Sequence, residues 1–493
     1  MKITQQNISS ASITLFVATF ASNLLGIFRE ILLAKYFGTS IQYDLYVLAQ
    51  YIPSAINAAF QFGLPSIFIP LYYQLKETKG EISASDFQNE FFGFGSLIGV
   101  ISIILMILFS PWIVEIFFSH LNHSSREELI KYTQILLLGT VFSVIFMNVR
   151  AILSAHKYFS FPAILLLSVN IVVISALIYF ENKITTGIIV ISVTIGMLCQ
   201  LVLILLFLRK NKFALFFTIP WHSSAIKKTF YLAIPVLSVE LLWGLFYYLD
   251  GFFASMLEQG NVSATNYALV LFRIPNFLFG ITLGSAILPH ISELFSLNNI
   301  QEIIDKYLLS LRLVFLICLV FSVTVYLFSA DIISIIFGHG AFSNRSIQLT
   351  STFFAYIAPS SIFLAGYPII FKIMNAMNRN QIMLIIFMVG ILLKYVLFTY
   401  VFYSYQIIGL AIAINISLAI AFLSSFLYSW WVLQFEIKNI LMFICKNIIP
   451  SAIIIFINPN YPFLTISIII LFVIIINKKE REILTKRLLP FAF

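Results

Sequence analysis

Apolar runs about twenty residues long, parted by short polar stretches, recur along almost the whole of this chain. A helix of that length crosses the roughly 30 Å hydrocarbon core of a bilayer, because each residue advances it by about 1.5 Å. Fourteen such runs can be marked: 11–35, 44–74, 91–118, 130–155, 160–180, 185–208, 229–257, 264–292, 308–335, 347–375, 382–403, 407–433, 440–457 and 462–477. Of 493 residues only 10% are charged and 61% are hydrophobic, whereas soluble domains carry about 25% charged residues. The expected fold class is an all-α polytopic membrane protein with about fourteen transmembrane helices. The longest polar stretches, near 76–90 and 209–228, leave no room for a sizeable soluble domain. Lys2 precedes an apolar run that starts near Ile13 and continues through Arg29 without a small-residue cleavage site. That run reads as the first spanning helix and not as a secretory signal. Cys199, Cys318 and Cys445 all lie in apolar runs and read as small core residues.

Basic residues set the orientation. With the N-terminus inside, eighteen Lys and Arg fall on inner loops, and only Lys35, Arg126, Lys131, Lys183 and Arg345 fall on outer ones. Both termini are therefore expected on the cytoplasmic side. The net charge of +9 faces the cytoplasmic leaflet, so nucleic acid is not an expected partner.

A shift of 222 residues brings landmarks into register without a gap. Gly38 falls on Gly260, Asp44 on Asn266, Pro53 on Pro275, Arg150 on Lys372 and Lys157 on Arg379. Glycine and proline determine backbone geometry, which makes their coincidence informative. Helices 1–6 and 7–12 thus read as two copies of one six-helix unit. An even helix number gives both copies the same orientation, so a pseudo-two-fold axis along the membrane normal is expected. The organisation that follows is an N-lobe over 1–210, a cytoplasmic amphipathic linker over 211–228, a C-lobe over 229–435, and helices 13 and 14 with a basic tail over 436–493.

Charges inside the runs mark the functional candidates. An ionised side chain in hydrocarbon costs about 2.5–3.5 kcal/mol on insertion scales. Arg29 in helix 1, Asp44 at the head of helix 2, Glu240 in helix 7 and Arg273 in helix 8 are expected to face a wet cleft between the lobes. For Arg29 and Asp44 the alternative is an interhelical ion pair that only fastens helices. Arg150 and Lys372 sit near inner helix ends, where snorkelling accounts for them; Lys394 and Lys446 read as snorkelling or packing residues. Pro53, Pro65, Pro70, Pro275 and Pro289 are expected to interrupt helices 2 and 8, with hinges at Pro53 and Pro275. Two arginines suit a diphosphate, to which guanidinium groups donate in pairs. The amides of Asn23 and Asn57, with Gln61, Tyr267 and Asn276, suit sugars. No GxxxxGK[ST] phosphate loop occurs, and "GFGSLIG" at 93–99 reads as small-residue helix packing.

Three stretches carry a resemblance. "SNLLGIFREILLAKYFG" with "YDLYVLAQYIPS", "LFRIPNFLFGITLGSAILPHIS" and "LSAHKYFSFPAILLLSVN" resemble the MurJ/MviN family of lipid II flippases, within the multidrug/oligosaccharidyl-lipid/polysaccharide exporter superfamily. The resemblance runs to about residue 440. It implies a non-enzymatic, multi-pass protein of the bacterial inner membrane, serving peptidoglycan or cell-envelope glycan synthesis. It also implies alternating access, a cationic cavity for an undecaprenyl-pyrophosphate-linked saccharide, and a lipid-tail groove from helices 13 and 14. It implies a monomer with no cofactor, driven by sodium, protons or membrane potential, and Glu240 is the candidate coupling site. Arg29 and Glu30 match the family's helix-1 arginine and acid, and Asp44 its helix-2 aspartate. Asn23 and Asn57 stand where the family carries arginines. Val270 and Arg273 stand where it carries an arginine and a glutamate. The cleft stays cationic with its charges moved, so lipid II and a related exopolysaccharide or O-antigen unit both fit. A cation-coupled drug exporter would want acids in place of Arg29 and Arg273. A glycosyltransferase would need a catalytic acid on an outer loop, for which only 119–129, with Glu127 and Glu128, offers a place.

Overall fold

A computed structural model describes residues 8–457, apart from 220–222, 282, 285–290, 292–293, 296, 298 and 378. The expected helix at 462–477, the basic tail and Pro289 lie outside the described residues. Every regular element described is helical. The main elements are α1 (Ile8–Phe37), α2 (Ile41–Phe117), α3 (His123–Ala155), α4 (Ser160–Leu165), α5 (Leu167–Phe180), α6 (Thr186–Lys210), α7 (Ser224–Ser255), α8 (Asn261–Phe272), α9 (Ile300–Phe337), α10 (Asn344–Ile357), α11 (Ser361–Ala376), α12 (Asn380–Val396), α13 (Gln406–Leu433) and α14 (Ile437–Ile457).

Helix starts follow local chemistry. Ser40, Asn122, Thr185 and Ser223 each accept, through a side-chain oxygen, the N–H three residues on. Such caps satisfy N–H groups that have no partner within the helix. Gly38 and Gly260, one repeat apart, precede α2 and α8 with φ of 52° and 94°. That left-handed conformation favours glycine.

At 77 residues α2 is far longer than one crossing needs and consists of two helices joined across a kink. It contains a single residue outside helical geometry, Gly80, with φ 85° and ψ 175°. The polar stretch at 76–90 is therefore not a loop but a break at one glycine with helix on both sides. Pro53, Pro65 and Pro70, expected to interrupt this helix, lie within continuous helical backbone. Each removes one hydrogen bond without ending the helix. Pro275 behaves differently. The chain turns at Arg273 and continues from Asn276 to Ile281 as a π-helical turn, the local adjustment expected where a missing N–H frees a carbonyl.

Nine helical stretches among the described residues are long and apolar enough to cross a membrane. Several of them, among them Ile41–Phe117, Ile300–Phe337, Asn344–Ala376 and Gln381–Leu433, contain internal breaks. Their outward faces are apolar. Leu108, Trp112 and Ile116, spaced by four, are 68%, 69% and 70% exposed. A contiguous apolar stripe of this kind needs lipid, not water, against it. The chain is a multi-pass, all-helical membrane protein.

The described chain forms two compact units, one of residues 1–263 with 337–346, the other of 264–336 with the chain from Ile347 onward. The core of the first stacks Phe68, Phe87 and Phe91, with Phe146 and Ile204. Of the 93–99 glycines, Gly95 and Gly99 act as expected for helix packing, while Gly93 meets a non-helical segment. Gly93 lies against the Thr218 backbone, Gly95 against Asn148, and Gly99 against Val144 and Phe60. The core of the second unit gathers Ile303, Tyr307, Ile370, Met374 and Phe426, and the Tyr307 hydroxyl lies 2.6 Å from that of Ser429. Lys394 does not snorkel: it is fully buried. Cys318 is buried, but Cys445 is exposed on α14 and is not a core residue.

Candidate functional site

Arg29 sits on the last third of α1, where uncharged turns precede it. Its Nη2 donates to Glu30 Oε1 at 2.7 Å and its Nη1 to Asn170 Oδ1 on α5 at 3.0 Å. The second Glu30 oxygen accepts from the Tyr43 hydroxyl at 2.5 Å. Asn170 is held in turn, its amide donating to the Ser22 carbonyl at 3.1 Å. Tyr43 is fully buried and stacks between Phe37 and Tyr46. Glu30 is buried, while the Arg29 side chain keeps 20% of its surface exposed. A buried ion pair persists only where further hydrogen bonds satisfy both partners, and here Tyr43 and Asn170 supply them. A guanidinium has five N–H donors, two of which these bonds use. The Arg29 Nε is buried without a hydrogen-bond partner among the described residues. The result is a fixed, partly accessible cation in an apolar helix. The alternative of a fastening pair between Arg29 and Asp44 does not occur in this structure, where Arg29 pairs with Glu30.

Asp44 performs another task. Its Oδ2 accepts the Gly260 N–H at 2.7 Å, and its Oδ1 accepts the Ser263 N–H at 2.7 Å and the Ser263 hydroxyl. The carboxylate thus binds the unpaired donors of the first turn of α8 and meets the positive end of that helix. Asp44 is 3% exposed. Beside it lies a cavity of about 240 Å³, lined by Ile41, Asp44, Leu48, His120, Ser255 and Glu258. The His120 Nε2 is 3.0 Å from the Ser255 hydroxyl, and burial holds the His120 imidazole below its ordinary pKa.

The remaining expected residues are placed as follows. Asn23 is exposed and its amide donates to the Thr19 carbonyl one turn back. Asn57 is half-buried, and its Oδ1 is buried without a hydrogen-bond partner among the described residues. Glu240 is half-buried in α7. Arg273 is half-buried at the turn that ends α8, two residues before the buried Pro275, while Pro53 is buried within α2. The first unit therefore brings Arg29 and Glu30 together with Tyr43 and Asn170, and brings Asp44 to Gly260 and Ser263. It does not bring Arg29 to Asp44. Among the described residues no three His, Cys, Asp or Glu side chains gather as metal ligands.

The model of the family described as lipid II flippase MurJ matches residues 33–477 of this chain. The chain belongs to the MurJ lipid II flippase family. The probable lipid II flippase MurJ of Buchnera aphidicola subsp. Acyrthosiphon pisum is 26% identical over 85% of this chain and 83% of its own length. A solved structure of lipid II flippase MurJ in an inward closed conformation superposes with a TM-score of 0.79 at 22% identity, covering 96% of this chain and 100% of that one. An inward-facing MATE family transporter of the MOP superfamily superposes with a TM-score of 0.71 at 13% identity, covering 86% and 98%. At such identities these likenesses concern the fold, which is that of MurJ and the MOP transporters.

Two supports of this MurJ-family site were not singled out from sequence. Asn170 closes the quoted stretch "LSAHKYFSFPAILLLSVN", yet a lone asparagine in a span also serves helix packing. Gly260 stood out as the repeat mate of Gly38, but nothing local linked it to Asp44, 216 residues away.

Proposed function

We propose that this chain carries lipid II from the cytoplasmic to the outer leaflet by alternating access, for peptidoglycan synthesis. Family membership over 33–477 supports the passenger. The single observation that carries the chemistry is Arg29, a cation locked between Glu30 and Asn170 with donors to spare. Bidentate guanidinium donors fit the oxygens of a diphosphate. Arg273, on the other unit, is assigned the same chemistry, and the amides of Asn23 and Asn57 are assigned to sugar hydroxyls. Asp44, whose oxygens already accept three hydrogen bonds, is assigned to holding α8 and not to the passenger.

The finer architecture belongs to the same reading: fourteen spans, two six-helix lobes, a linker over 211–228, helices 13 and 14 as an appendix, and both termini cytoplasmic in a bacterial inner membrane. The 18:5 bias of basic residues supports the orientation. Pro275, where the helix breaks, is the better supported hinge, since Pro53 lies in unbroken helix. Coupling is assigned to membrane potential or to a sodium ion or proton at Glu240, a half-buried carboxylate midway along α7. The protein acts as a transporter without a catalytic step and as a monomer.

Complementation tests the reading. In a bacterium depleted of its own lipid II flippase, the intact chain restores growth and Arg29→Ala does not, at equal membrane abundance. Growth with Arg29→Ala would remove the arginine from the mechanism. No rescue by the intact, abundant chain would favour another undecaprenyl-linked repeat unit.

A further inference from the structure

The chain leaves α6 abruptly. Lys212 takes a left-handed conformation, φ 52°, and the Phe213 N–H closes back on the Leu208 carbonyl at 2.9 Å. Residues 213–219 then continue without helix as a strap over the second half of α2. From Lys212 to Phe216 exposed and inward side chains alternate, and from Phe216 to Ile219 all are exposed. Phe213 and Leu215 turn inward onto the cluster around Phe87 and Phe91, while Lys212, Ala214 and Phe216 are exposed. Three contacts pin the strap. The Phe216 N–H donates to Asn89 Oδ1 at 2.9 Å, Gln88 Nε2 donates to the Ala214 carbonyl at 3.4 Å, and Thr218 lies on Gly93, where a Cβ has no room.

A pinned backbone makes what it displays meaningful. Phe216 and Phe217 are 64% and 56% exposed. Beside them Arg209, Lys210 and Lys212 are exposed, and their side chains make no ion pair or hydrogen bond among the described residues. Two rings and three unpaired cations, held at the membrane end of α6, complement a surface with an apolar interior and anionic headgroups. We propose that the 209–217 strap is an anionic-phospholipid site. The rings enter the acyl boundary, and Arg209, Lys210 and Lys212 bind the phosphates of bilayer lipids such as phosphatidylglycerol. The site is separate from the Arg29 node and does not depend on the assigned passenger.

The test uses the full chain purified in neutral detergent and supplied with equal phosphatidylglycerol and phosphatidylcholine, with retained lipid counted by mass spectrometry. The intact protein should prefer phosphatidylglycerol. The variant R209Q/K210Q/K212Q should lose that preference by about fivefold per charge removed, with an unchanged melting temperature in neutral detergent. Phe216→Ala with Phe217→Ala should lower retention of both lipids and leave their ratio unchanged. Equal retention by the intact protein and the triple variant would overturn the proposal. So would displacement of phosphatidylglycerol by a short-chain polyprenyl diphosphate, which would make the strap a passenger site.

Discussion

Glu30 and Asn170 do unequal work for Arg29, and substitution should show it. Glu30→Ala leaves a guanidinium in apolar surroundings without its counter-charge, a loss on the order of 3–5 kcal/mol for a buried pair. Asn170→Ala removes one charge-assisted hydrogen bond, about 1.5–3 kcal/mol. Melting in detergent should therefore fall further for Glu30→Ala, and equal falls would make the network mere packing. Asp44→Ala should cost about 0.5–2 kcal/mol as a lost helix cap, with Asp44→Asn intermediate because it keeps one acceptor. Two histidines outside the spans give the molecule an acid limit. Burial, and then Lys76, hold His156 below its ordinary value of 6.5, and burial does the same for His120. In both the folded pKa lies below the unfolded one, so the unfolded chain binds more protons in that window. Their stability is present above about pH 6.5 and lost as pH falls through the folded values. The melting temperature should drop on acidification. His120→Gln combined with His156→Gln should flatten the drop, and an unchanged profile in the double variant would place the titration elsewhere.

Elements were legible in the sequence to the extent that one residue type decides them. Among the described residues, apolar runs of spanning length became helices. The break in α2 was not legible. Pro53, Pro65 and Pro70 advertised interruption, but Gly80 alone left helical geometry. In a packed span neighbouring groups compensate for a proline's missing donor, whereas a glycine's conformational freedom is local. The charge at Arg29 was visible as an anomaly; Asn170, which accepts from it, and Tyr43, which donates to its partner Glu30, were not, because tertiary contact between α1, α2 and α5 selects them. Gly93 gives the element scale its test. Gly93→Ala places a Cβ against the Thr218 backbone and should displace the strap, raising proteolysis between Lys212 and Ile219. Unchanged protection would mean the strap is not held there.

At the scale of the whole molecule, the account joins three facts. The surface is apolar as lipid contact demands, the fold is that of MurJ and the MOP transporters, and a fixed cation survives in the first helix. The diphosphate chemistry proposed for this chain rests on Arg29, whose guanidinium is held by Glu30 and Asn170. The most direct test is lipid II translocation in proteoliposomes, with inner and outer lipid II distinguished by an impermeant reagent. The intact chain should move lipid II, and Arg29→Ala should stop that movement while the protein still reconstitutes and melts as a folded species. Equal translocation by Arg29→Ala, or movement of an O-antigen undecaprenyl diphosphate but not of lipid II, would contradict the account.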